Sequence, residues 1–168
     1  MKGLHRSLSR GTAQANIVRQ SVAIAATISV AGTTGVGYGS AVIGDFPQGN
    51  ILFLGAVAYA KFVTADVDVQ AAFDGDYSIG SAATADATLS GSEVDIIAST
   101  PLGAATAQAS PVVRGVSAAA ICGTVLDNTD GSLELNLNLL IDDANISGAA
   151  DFTASGVVEL SYVILGDD

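Results

Sequence analysis

Residues 133–142 alternate between aliphatic and mostly polar side chains over ten positions. Leu133, Leu135, Leu137, Leu139 and Ile141 occupy every second position. An α-helix would distribute these five side chains around its circumference, whereas a β-strand directs all of them to one face. The pattern therefore predicts a strand whose aliphatic face lies in a hydrophobic core.

Several other segments have the composition and period of strands. Ser21–Ala31 alternates with a period of two, and Val157–Leu165 does the same near the C-terminus. Ile51–Val63 is apolar at both odd and even positions, which predicts a central strand buried on two sides. We also expect a strand at Asp66–Phe73 that forms a hairpin with Tyr77–Ile79.

Turns and short strands occupy the remaining chain. The glycine-rich stretch Gly32–Gly39 predicts a loop or an irregular edge, and Pro101–Pro111 a loop. Ala85–Leu89 and Glu93–Ala98 are expected to be short strands. The turn 127–131 predicts a hairpin between residues 124–126 and the strand at 133–141.

About eight short strands with turns between them favour an all-β fold. The 168 residues suffice for one hydrophobic core. We expect a β-sandwich, jelly-roll-like, formed by residues 21–168 as a single domain. Residues 1–20 mix Gly, Ser and Arg without a sustained period, so they predict an extended, basic N-terminal arm.

The charges of the chain are separated along its length. All 17 acidic residues follow position 44, whereas four of the six basic residues precede position 20. We expect Lys2, Arg6, Arg10 and Arg19 to bind an acidic partner surface. The acidic body lacks the clustered Lys and Arg that a phosphate backbone requires, which excludes nucleic acid as its partner.

Residues suited to catalysis are scarce. The only histidine, His5, lies among the arginines of the arm, and the only cysteine, Cys122, follows an apolar run that predicts a buried side chain. Lys61 is expected at an exposed strand edge or in a salt bridge between subunits. We expect no enzyme activity, no cofactor and no metal, although acidic turns at 127–130 and 142–143 leave Ca²⁺ as an alternative.

The first 31 residues allow a second interpretation. Basic residues followed by an apolar stretch resemble a signal peptide (1–31), so the chain could be a secreted or surface-exposed β-sandwich binding module. No stretch has the ~20 continuous apolar residues of a membrane span, and we expect no membrane partner.

Three segments carry a resemblance to a known class of proteins. They are Gly49–Val57 (GNILFLGAV), Ala85–Ile97 (ADATLSGSEVDII) and Asp127–Ala144 (DNTDGSLELNLNLLIDDA). Over residues 48–168 the chain resembles small virion structural proteins of marine tailed bacteriophages. The resemblance implies a capsid decoration (cement) protein of the virion, made in the host cytoplasm, that binds the major capsid protein on the outer surface of the head as a homotrimer. Another virion part, such as a tail-tube or head-fibre subunit, is the remaining alternative.

Overall fold

The computed structural model describes residues 17–33, 36–142 and 145–166. These residues form nine β-strands and one short 3-10 helix. In chain order the elements are β1 (Ile17–Thr33), β2 (Val36–Asp45), β3 (Gly49–Val63), β4 (Gly75–Gly80), the 3-10 helix (Gly91–Glu93), β5 (Ile97–Pro101), β6 (Val113–Val116), β7 (Val125–Asn128), β8 (Glu134–Ile141) and β9 (Ala150–Gly166).

The strands pair antiparallel in the order of a jelly roll. The first strand pairs with the last (β1 with β9), the second with the second-last (β2 with β8), β3 with β6, and β4 with β5. This nested pairing gives sheet A, ordered β1-β9-β3-β6, and sheet B, ordered β2-β8-β4-β5. The two sheets are continuous at one corner, where residues 31–33 of β1 pair with residues 36–38 of β2. The short strand β7 adds to β3 in sheet A. The predicted all-β sandwich with jelly-roll character is confirmed.

The hydrophobic core lies between the two sheets. Leu135, Leu137, Leu139 and Ile141 of β8 are fully buried, as their alternation predicted. Aromatic rings fill the space between the sheets, with Phe62 of β3 5.5 Å from Tyr77 of β4. Tyr77 also donates a hydrogen bond from its hydroxyl to the Val113 carbonyl oxygen of β6, 3.3 Å away, which ties sheet B to sheet A.

Glycines let the backbone pack closely where the chain passes from one sheet to the other, both between β1 and β2 and between β1 and the segment before β9. A Cβ atom on Gly39 would lie 2.3 Å from the Ser29 carbonyl oxygen, and one on Gly32 would lie 1.9 Å from the Gly148 carbonyl oxygen. The stretch 32–39 was expected to be a loop or an irregular glycine-rich edge; Gly32, Gly37 and Gly39 lie in β1 and β2. They are required for close packing of the backbone rather than for a turn.

Several sequence predictions are wrong in their pairing. Residues 66–73 form irregular turns instead of a strand, with Val67 at 95% exposure. Residues 85–89 are not a strand either. β7 does not form a hairpin with β8, because it pairs with β3 instead. For β7 the pairing with a distant strand outweighed the local turn signal.

One segment of the chain covers the outer side of β4 and β8 in sheet B, while β2 beside them leaves Val42 exposed. Asn138 of β8 points away from the core yet is fully buried. Its side-chain nitrogen donates to the carbonyl oxygens of Ala82 (3.0 Å) and Glu93 (2.9 Å), and its side-chain oxygen accepts a bond from the Thr84 amide (2.8 Å). Residues 81–96 are thereby fastened over this sheet.

Candidate interaction surface

The outward side of sheet A is not covered in this way, and we call it the open face. It consists of the outward-pointing residues of β1, β9, β3 and β6. Direct cross-strand partners form rows across it. The central row is Ala23, Val157, Tyr59 and Arg114; the row on one side is Ser21, Glu159, Val57 and Val116; the row on the other is Ala25, Ser155 and Lys61.

Small and aliphatic side chains dominate the open face. On β1 every outward position from Ile17 to Ala31 is exposed, and most of them are Ala, Ser or Thr. At the N-terminal end of β1, Ile17 (60% exposed) begins an aliphatic row that continues through Val163 and Leu52 to Val125 of β7. A solvent-facing antiparallel sheet normally alternates hydrophobic-in with polar-out. The open face follows that rule in part, because about half of its outward residues are polar, but it also exposes large apolar side chains, among them Ile17, Tyr59 and Val116. Exposed apolar groups of this kind are typical of an interaction site.

The cations of the described strands and loops all lie on the open face. Arg19 belongs to β1, Lys61 to β3 and Arg114 to β6, and each points outward. Among the described residues none of the three forms an ion pair. Their neighbours on the face include two acids, Glu159 and Asp151 of β9. Asp127 of β7 points to the same side as Val125, at the margin of the face. The other acids that the structure describes lie in loops, on sheet B and in the 3-10 helix. The molecule is therefore electrostatically polarised.

Two shallow depressions flank Glu159. One, of about 350 Å³, is lined by Arg19, Gln20, Ser21, Glu159, Leu160 and Ser161. The other, of about 370 Å³, lies between the β3 bulge at Gly55 and the loop after β6, with Leu54 and Cys122 at its wall. Both are open to solvent. Each depression is wide enough to receive a side chain from a partner surface.

The predicted anchoring residues are divided by the start of β1. Arg19 lies within this strand, opposite Ser161, and is exposed. The strand begins at Ile17 rather than at the expected boundary of residue 21, because residues 17–20 already pair with β9. Lys2, Arg6, Arg10 and His5 lie outside the described residues. Ile17, where β1 begins, is exposed and pairs with Val163 of β9.

Two further residues differ from their predictions. Cys122 was expected to be buried, but it is exposed in the loop between β6 and β7. Its run of alanines forms a turn closed by the Ile121 amide and the Ala118 carbonyl oxygen (3.2 Å), so Ile121 packs against the core while Cys122 points to solvent. Lys61 does not lie at a sheet edge, because β3 is an inner strand; its side chain points out from the sheet instead. The alternative expectation for Lys61, a salt bridge between subunits, stays a prediction.

The acidic turn after β7 uses its carboxylates internally. Asp127 accepts hydrogen bonds from the amide and hydroxyl of Thr129, and Asp130 accepts the same pair from Ser132. These bonds hold the pKa of both carboxyl groups below the usual value. Near β4, burial raises the pKa of Asp142, and the charges of Asp74 and Asp76 raise it further. Among the residues that the structure describes, no cluster of three or more His, Cys, Asp or Glu side chains could hold a metal ion.

The open face was missed from the sequence although one signal for it was present. Ile51–Val63 is apolar on both faces, and this was interpreted as burial on two sides. The strand is an inner one, as predicted, but only its inward positions are fully buried, while Tyr59 is 43% exposed. An apolar outward face can mean either burial within the chain or contact with another chain, and the sequence alone does not separate the two.

Comparisons with known proteins complete these observations. No family model, no curated protein and no solved structure matches the chain. None of the helices in the described ranges is long and apolar enough to cross a membrane.

Proposed function

We propose that this chain is a capsid decoration (cement) protein of a tailed bacteriophage, which binds the outer surface of the head and stabilises it by bridging neighbouring capsomers. It acts by adhesion and catalyses no reaction. The observation that carries the proposal is the open face, a broad sheet surface that the chain leaves uncovered, whereas residues 81–96 cover the outer side of β4 and β8 in sheet B.

The size of the open face supports a role in an assembly. From Ile17 to Ser29 the face extends about 40 Å along the strands, and three to four strands span about 15–20 Å across. The resulting area of roughly 700 Å² approaches the ~800 Å² that each partner buries in a standard protein interface. The face is therefore large enough to serve as one side of a protein interface.

The arm supplies the contact with the shell in this proposal. Lys2, Arg6 and Arg10 precede β1 and Arg19 lies within it, so the basic residues form one continuous run that leads to the open face. They would pair with carboxylates of the major capsid protein. Because each copy contacts more than one shell subunit, many weak contacts together raise the barrier to separation of the capsomers.

The acidic surface away from the open face has a complementary role. At a formal net charge of −11, the exposed loops would repel one another on a densely coated particle and keep it soluble. The segment resemblance to small virion structural proteins selects the phage head among the assemblies that a surface of this kind would suit.

The test is binding to undecorated heads. A variant lacking residues 1–16 retains all of β1, so the sandwich should fold as before, and co-sedimentation with heads should fall strongly. The matched variant Lys2, Arg6 and Arg10→Gln keeps the length of the arm and removes its charge; it should bind weakly and lose the salt dependence of the parent chain. Undiminished occupancy of heads by both variants would refute the anchoring role, and absence of binding by the parent chain would refute decoration.

A further inference from the structure

The open face leaves one question that the proposed function does not answer, namely which surface covers it. An acidic chain repels further copies of itself through most of its exterior. The open face is the exception, because it combines three cations with two acids and many uncharged side chains. It is therefore the surface through which two copies approach each other with the least repulsion.

We propose that the open face binds the open face of a second copy across a twofold axis. The axis would cross the strands at the central row, where Ala23, Val157 and Tyr59 present small or apolar groups. Two sheets stacked face to face lie about 10 Å apart, and short outward side chains allow that separation. A twofold contact uses one patch on both copies, so the patch must complement itself.

The order of charges along the strands meets this requirement. Glu159 lies one row before the central row and Lys61 one row after it. A twofold rotation at the central row exchanges these rows and places Glu159 of each copy over the row of Lys61 in the other. Within one copy, the two residues are four positions apart along adjacent strands, about 13 Å, and they do not pair.

The outer charges follow the same exchange. Arg19 lies two rows before the central row and Asp151 three rows after it, so the rotation brings each Arg19 to within one row of an Asp151 in the other copy. Arg114 is in the central row itself, but it lies on the edge strand β6, where its long side chain can extend beyond the contact. The contact therefore gains two Glu159–Lys61 pairs around an apolar centre. A threefold arrangement, which the virion resemblance implied, does not exchange the rows in this way.

The experiment measures the mass of the full-length chain in solution, without heads, by sedimentation equilibrium over a concentration series. We expect a dimer. Glu159→Lys places two lysines over each other and Lys61→Glu places two acids over each other, so each single variant should weaken the dimer about tenfold or more. The combined Glu159→Lys, Lys61→Glu variant exchanges the charges and should restore the dimer, which no effect confined to one copy would do.

Two controls separate the contact from general changes of charge or folding. Val157→Asp introduces like charges at the axis and should abolish the dimer, whereas Val42→Asp adds the same charge at an exposed position of β2 on sheet B and should leave it intact. Thermal melts should show that every variant is folded. A parent chain that is monomeric or trimeric at high concentration, or a double swap no better than the single variants, would overturn the proposal. Because heads are absent from this assay, a chain that does not dimerise would leave the decoration role intact. A chain that does not bind heads would likewise leave the dimer intact.

Discussion

Removal of the Asn138 side chain should release the segment that covers sheet B. Asn138→Ala deletes three hydrogen bonds, to Thr84, Ala82 and Glu93, at a fully buried position. Each lost bond costs about 1 kcal/mol, so the free energy of unfolding should fall by about 3 kcal/mol. This is a large fraction of the ~5–15 kcal/mol that stabilises a typical domain.

The matched control is Asn136→Ala on the same side of the same strand. Asn136 is also buried, but its side chain makes no hydrogen bond within the described residues. Its removal should cost about 1 kcal/mol or less, as expected for a modest loss of packing. The same atoms are deleted in both variants, so the difference of about 2 kcal/mol isolates the three hydrogen bonds.

Urea denaturation followed by circular dichroism measures both variants. Limited proteolysis provides a second measurement, because cleavage within residues 81–96 should accelerate in Asn138→Ala and not in Asn136→Ala. Equal free energies of unfolding for the two variants, with unchanged proteolysis, would show that the segment is held by other contacts. The structural contrast between a covered sheet B and an open sheet A would then lose its basis.

Three further predictions concern the core, the corner between the sheets and the acidic turn. Burial raises the pKa of Tyr77 to about 12, so the phenol loses its proton at a lower pH in the unfolded chain than in the folded one. The free energy of unfolding should therefore fall by up to about 3 kcal/mol as the pH rises from 10 to 12. Alkaline denaturation curves of Tyr77→Phe should lack this decrease. Gly39→Ala places a Cβ atom against the Ser29 carbonyl oxygen and should lower the free energy of unfolding by about 2 kcal/mol or more in the urea assay. In Gly44→Ala the Cβ atom would lie 3.2 Å from a side-chain methyl group of Val22, so this variant should be tolerated better. Thr129→Ala should raise the pKa of Asp127 towards its usual value in an NMR titration, while the pKa of Asp130, which Ser132 holds down, should change little.

The fold was predictable where alternation and burial coincide. The aliphatic face of β8 and the alternation of β1 predicted strands that the structure contains, because each strand has one face in the core. The nested pairing that makes the sandwich a jelly roll depends on contacts between distant parts of the chain, such as β1 with β9, and no local pattern encodes them.

The errors have physical causes in particular residues. Asp66–Phe73 alternates like a strand, yet Val69 is its one bridged position, to Ile146, and Val67 points into solvent. Asn138 alternates with the core leucines of β8, a pattern typical of a solvent-facing position, but it is buried because residues 81–96 fold over it. The charge polarity of the body was hidden for a similar reason: Arg19, Lys61 and Arg114 are far apart in sequence and share one face only after the strands pair.

Chemical footprinting of Tyr59 tests directly whether another protein chain covers the open face. The Tyr59 ring is exposed in the isolated chain and lies in the central row of the open face, whereas Tyr38 on β2 lies outside this face and serves as the internal reference. Hydroxyl-radical labelling, read by mass spectrometry, compares the chain at high dilution with the chain bound to heads. We expect Tyr59 to be strongly protected in the bound state while Tyr38 is unchanged. Equal labelling of Tyr59 in both states would contradict the claim that another protein chain covers the open face.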